Sequence, residues 1–108
     1  MSIYWVVLFI AVFFEVCWAL SLKWIQVSPG ALSFSVVGVL TVANIVMLSF
    51  AMRGIPVGTA YAVWTGLGAV GITVASVWVF NDPVTLQRFL FIALIIGGVV
   101  GLKATATA

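Results

Sequence analysis

The chain has 108 residues, 66% of them hydrophobic and only 6% charged, whereas soluble domains carry about a quarter charged residues. Four basic and two acidic residues give a net charge of +2, too few and too scattered for a nucleic-acid surface, and there are not enough polar residues to coat a soluble core. A single cysteine, Cys17, and the absence of histidine exclude an intrachain disulfide and remove the commonest metal ligand, so neither a metal site nor a cofactor is expected.

The composition therefore reads as an all-α integral membrane protein, and the apolar runs give four transmembrane helices in one domain covering residues 1–108. The first run, about residues 3–22, ends at Lys23 and has roughly the 20 residues that a spanning helix needs. It lacks the basic flank and small-residue cleavage site of a signal peptide, so it is expected to stay in the mature chain. Near its centre stands Glu15, and no other charged residue lies so far inside an apolar run. A carboxylate at bilayer depth costs about 2.5–3.5 kcal/mol on insertion scales, so it calls for a functional explanation. Small Ala11 and Ala19 flank it one turn away on either side, and Trp18 brings an indole N–H to the same face. Trp5 and Tyr4, at the start of the span, have the position of an interfacial aromatic belt.

Ser28-Pro29-Gly30 is a turn signal. The second run, about residues 32–52, carries Asn44 at its middle and stops at Arg53-Gly54-Ile55-Pro56, with Pro56 suited to the first turn of the next helix. An amide at that depth needs a partner, which makes Asn44 a candidate for the same site as Glu15. The third run, about residues 57–80, is the least lipid-like. Tyr61, Trp64, Thr65 and Gly68 share one helical face, which reads either as the wall of a polar cavity or as a packing surface. Gly66, Gly68 and Gly71 offer places where this helix can bend. After Asn81-Asp82-Pro83 the fourth run, about residues 86–103, repeats small residues at Ala93, Gly97 and Gly101. Such a stripe lets another helix approach closely, either in a second subunit as a dimer interface or within one subunit.

Alternating spans put Arg53 and Lys103 on one side of the membrane and Lys23 and Arg88 on the other. The positive-inside rule then gives no preferred orientation, and insertion both ways up is open. No nucleophile–base pair, phosphate loop or metal cluster can be discerned, so binding suits the polar residues better than catalysis; no catalytic residue is named and an enzyme is not expected.

The pattern Glu15-x-x-Trp18-Ala19-x-x-Leu22-Lys23, the block from Pro56 through Tyr61, Trp64 and Gly66 to Ala69, and the ending Gly101-Leu102-Lys103 resemble the small multidrug resistance family. Trp18-Ala19 after the glutamate is similar to its guanidinium-exporter branch. The resemblance spans essentially the full length. It implies an antiparallel, dual-topology homodimer in the lipid bilayer of the inner or plasma membrane, working as a proton-coupled antiporter of guanidinium or small guanidinyl cations. By the same resemblance Glu15 is shared between cation and protons, Trp18, Tyr61 and Trp64 shape the site, the glycines of the third span permit exchange between states, and the fourth span holds the dimer. The sequence departs from that branch at Asn44, where Ser is common, at Val12, where Gly is common, and in the first loop, which lacks a Gly-Phe-Thr-Arg-like segment. Two alternatives stay open. One is a subunit paired with a paralogue, or an exporter of bulkier guanidinyl or quaternary-ammonium cations; the other is a non-transporting assembly or regulatory subunit.

Overall fold

The computed structural model describes residues 2–106. Each apolar run forms one helix: α1 (Ile3–Val27), α2 (Ala31–Ala51), α3 (Val57–Phe80) and α4 (Leu86–Ala104). All four are long and apolar enough to cross a bilayer, and the backbone bonds close within each helix, as a hydrocarbon environment requires.

Local chemistry sets the boundaries. The Ser2 hydroxyl accepts from Trp5 N and opens α1, and the Thr85 hydroxyl accepts from Arg88 N at 3.2 Å and opens α4. Ser33, buried at the start of α2, donates to the Ser28 and Gly30 carbonyls and closes the first turn. Asn81 ends α3 in the left-handed conformation at φ 55°, which asparagine tolerates better than most residues. Hydropathy ends the first span near Leu22, yet α1 continues through Lys23 to Val27. A lysine ends an apolar run but not a ladder of backbone hydrogen bonds, and here the ladder persists until the Ser28 N–H donates to the Trp24 carbonyl at 2.8 Å.

The helices pack in the spatial order α2, α1, α3, α4, with α2 only grazing α3 and α4 packed along α3 alone. The result is a slab of 44 × 35 × 18 Å, its short dimension less than two helix diameters of about 10–12 Å. Its hydrophobic core lies at one end, where the start of α1, the end of α2 and the start of α3 meet the last turns of α4. Trp5, Leu8, Ala51, Ile55, Ala60, Val63 and Val99 form it. Trp5 is only 2% exposed and carries the Lys103 ammonium over its ring at 4.8 Å, while Tyr4 packs on Phe50 with ring centroids 5.4 Å apart. Trp5 therefore belongs to the interior and not to a lipid-facing belt, while Tyr4 is half-buried against Phe50. Gly54 makes room for the Tyr4 ring, since a Cβ added there would overlap it.

Close approach of α1 to α3 depends on two further missing side chains. A Cβ at Gly71 would come within 2.6 Å of Val16 Cγ2, and one at Gly68 would overlap the side chain of Glu15. Gly66 instead faces α4, where a Cβ would meet Ile95 and Val99. α3 itself is an unbroken helix across all three positions.

Replacing Gly71 by leucine forces α1 away from α3 and is expected to destabilise the fold by about 1–3 kcal/mol, the usual cost of overpacking. Unfolding of the detergent-solubilised protein by SDS measures this, and an unchanged midpoint would show that the two helices are not held at this contact.

Candidate functional site: a buried carboxylate against a bare helix face

Glu15 is placed by three features of the sequence. It lies halfway along α1, next to small Ala11 and Ala19, and it faces α3 where Gly68 leaves the backbone bare. The side chain is 8% exposed, and Oε1 is buried without a hydrogen-bond partner among the described residues. Filling this position with a larger residue on α3 would expel the carboxylate, so the glycine and the acid form one unit.

Two more buried polar atoms are equally unsatisfied. Asn44 is 5% exposed on α2; its Nδ2 donates to the Leu40 carbonyl at 3.0 Å, leaving Oδ1 without a partner. The Trp64 indole N–H on α3 also has none. A buried polar group left unpaired costs about 1–3 kcal/mol, and such groups are uncommon in folded proteins. Two acceptors and one donor, each on a different one of α1, α2 and α3, are thus left unpaired among the described residues.

Asn44, Trp64 and Trp18 line a common cavity of about 190 Å³ together with Thr41, Ile45 and Leu48. Its wall is mostly apolar, and Glu15 is not among the lining residues but one turn from Trp18 on α1. Trp18 does not reach the carboxylate. Its Nε1 donates to the Thr41 hydroxyl of α2 at 2.8 Å, and Thr41 in turn donates to the Val37 carbonyl at 2.8 Å. This chain fixes the indole as a wall between α1 and α2. Tyr61 is 54% exposed on the open face of α3, its ring tilted against Trp64 at 5.7 Å; Thr65 is exposed beside it.

The structure thus brings Glu15 against Gly68 and, separately, Trp18, Asn44 and Trp64 around one cavity, with Tyr61 packed on Trp64. Gly66 and Gly71 lie at helix contacts elsewhere on α3. Ala93, Gly97 and Gly101 stand apart on the exposed side of α4, and a Cβ at Gly97 or Gly101 would meet nothing within 4 Å. The stripe takes no part in packing within the subunit. Thr41 is the site residue that sequence reasoning passed over; a hydroxyl one turn before Asn44 on the same face of a membrane span was the available signal.

Four apolar spans and one carboxylate sunk midway along the first define a small multi-pass membrane protein. The chain belongs to the small multidrug resistance family, whose model, described as Small Multidrug Resistance protein, matches residues 3–95. It is 39% identical over 103 residues to a protein of Proteus vulgaris named Guanidinium exporter, covering 92% of this chain and 95% of that one. A protein of the same name from Citrobacter freundii is 41% identical, covering 92% and 94%, and one from Salmonella typhimurium is 37% identical over 106 residues, covering 94% and 97%.

A double-mutant cycle on Trp18→Phe and Thr41→Val is expected to return a coupling of about 0.6 kcal/mol, the mean for hydrogen bonds between membrane helices. Detergent unfolding of the four proteins reads it, and additive effects would remove this bond from the site.

Proposed function

We propose that this protein is a proton-coupled antiporter that exports guanidinium or small guanidinyl cations across the cell membrane, and that protons and cation compete for Glu15. The observation that carries the proposal is the Glu15 carboxylate itself, buried at the centre of α1 with Oε1 unpartnered. An unpaired acceptor of this kind suits a cation that brings its own N–H donors. The names of the relatives support the choice of cation. Guanidinium is planar, and its forked N–H groups match a carboxylate in bidentate geometry. Asn44 Oδ1 offers a further acceptor for such a cation, and the indoles of Trp18 and Trp64 offer faces for a delocalised charge. Asn44 is larger than serine and Val12 larger than glycine, so the site accepts a cation of limited bulk.

A flat subunit with an open face does not enclose a pathway alone. We assign the working unit to an antiparallel homodimer, supported by the balanced basic residues on the two sides and by the exposed stripe Ala93, Gly97 and Gly101 on α4. Two Glu15 residues then share one site and titrate as a coupled pair. Exchange occurs because only loaded dimers convert between inward-open and outward-open forms, with Gly66, Gly68 and Gly71 absorbing the change in helix packing. An inward proton gradient then drives the cation out.

Protein reconstituted alone in liposomes is expected to take up labelled guanidinium when the lumen is more acidic than the bath. Glu15→Gln, which keeps the shape and removes the charge, is expected to abolish this uptake. No uptake by the folded wild-type chain would overturn the homodimer, and uptake unchanged by Glu15→Gln would overturn the role of the carboxylate. Competition also fixes the sign of the pH effect: added protons occupy the carboxylate, so the apparent affinity for guanidinium falls as pH falls, approaching about tenfold per pH unit for each proton displaced. A binding titration across pH checks it, and a pH-independent affinity would separate the proton from the cation site.

A further inference from the structure

At the end of the slab opposite the hydrophobic core, α3 and α4 and the turn between them line a groove of about 370 Å³. It runs from Val70 and Ile96 at its deep end to Pro83 and Arg88 at its mouth, with Thr73 and Trp78 on the α3 side. Val70 to Trp78 and Arg88 to Ile96 each span eight helical steps, about 12 Å of rise, most of the roughly 15 Å depth of one hydrocarbon leaflet. The lining is almost wholly apolar. Trp78, 82% exposed, and the Asn81-Asp82-Pro83 turn put the mouth at headgroup level, where tryptophan prefers to sit.

Arg88 gives this groove a sign. Its side chain is exposed and its guanidinium has no ion pair or hydrogen bond among the described residues, not even with Asp82 of the adjoining turn. It lies in the first turn of α4, which holds no acidic residue, so its own helix does not balance the charge. The groove is also separate from the Glu15 site, and on a helix of 100° per residue the direction of Arg88, Ile92 and Ile96 differs from that of Ala93, Gly97 and Gly101. A ligand here leaves that stripe free.

We propose that the α3–α4 groove is a binding site for an anionic phospholipid, one acyl chain lying between the helices and the phosphate on the Arg88 guanidinium. An apolar slot about as deep as a leaflet, with one uncompensated cation at headgroup height, matches an amphiphile with an anionic head. A zwitterionic lipid fills the slot but neutralises less of the charge, and a free anion has no use for the slot. The site does not depend on the proposed transport activity.

Native mass spectrometry of the full chain, equilibrated in detergent with equal amounts of phosphatidylglycerol and phosphatidylcholine of identical chains, tests the assignment. Phosphatidylglycerol is expected to be retained in preference. Arg88→Gln should lower its retention by about fivefold, the effect of one basic residue on anionic lipid, while Arg53→Gln, at the other end of the slab, should leave it unchanged. Ile96→Trp, which fills the deep end, should lower retention of both lipids, and Arg88→Gln at the exposed mouth keeps the test decisive should that variant not fold. Equal retention of the two lipids, no effect of Arg88→Gln, an equal effect of Arg53→Gln, or displacement of the lipid by millimolar inorganic phosphate would each overturn the proposal.

Discussion

Contact between the Glu15 carboxylate and the bare backbone at Gly68 is the constraint on which the arrangement depends. Hydrocarbon penalises a lone carboxylate, and a close-packed helix pair ordinarily leaves no volume for one. Removing a side chain from α3 supplies that volume, so α1 and α3 approach closely along the same line that holds the acid. The polar atoms around it are only partly satisfied by the protein. Asn44 bonds back to its own helix with Nδ2, and Trp18 is spent on Thr41, leaving Oδ1 of Asn44, Oε1 of Glu15 and the Trp64 N–H unpaired. Unpaired buried groups destabilise a subunit, and their presence at mid-membrane is what supports the proposed cation site.

The rest of the slab accommodates that site. The hydrophobic core lies at one end, where Trp5, Leu8, Ile55 and Val63 interlock and Lys103 closes over Trp5 from the last turn of α4. The first and last helices are thereby tied together near the two termini although α4 packs along α3 alone. Toward the other end α3 and α4 leave the groove between them, and Trp18, Thr41, Asn44 and Trp64 line the separate cavity.

Much of this was readable without coordinates, for reasons that differ from residue to residue. Four spans followed from hydropathy because a bilayer imposes one length on every crossing, and Glu15 and Asn44 stood out because burial makes polar groups costly wherever they occur. What depended on the relative rotation and height of two helices was not readable. The indole of Trp18 turns to Thr41 on α2 and not to the acid one turn away, a choice set by the α1–α2 register. Trp5 and Tyr4 occupy belt positions in the sequence yet turn inward, because Gly54 and the end of α4 offer them a closer packed partner than lipid does. The glycines of α3 were legible as places where the helix can bend, but the close approach they allow to α1 and α4 was not. For the stripe on α4, sequence left two packing partners open; absence of any neighbour at Gly97 and Gly101 removes the partner within the subunit.

The extension of α1 to Val27 has a mechanical consequence. Twelve helical residues precede Glu15, Ile3–Phe14, and twelve follow it, Val16–Val27, so the acid is the midpoint of its helix. At 1.5 Å per residue α1 is about 37 Å long, against about 28 Å for the 19 residues of α4. A change in bilayer thickness or composition therefore acts on α1 first, through tilt. Tilt about a centre displaces the ends of a rod and leaves its middle where it was, so the carboxylate keeps its depth while Tyr4 and Trp24 rise and fall around it. The midpoint is also the one position along its length that a helix occupies identically when turned end for end.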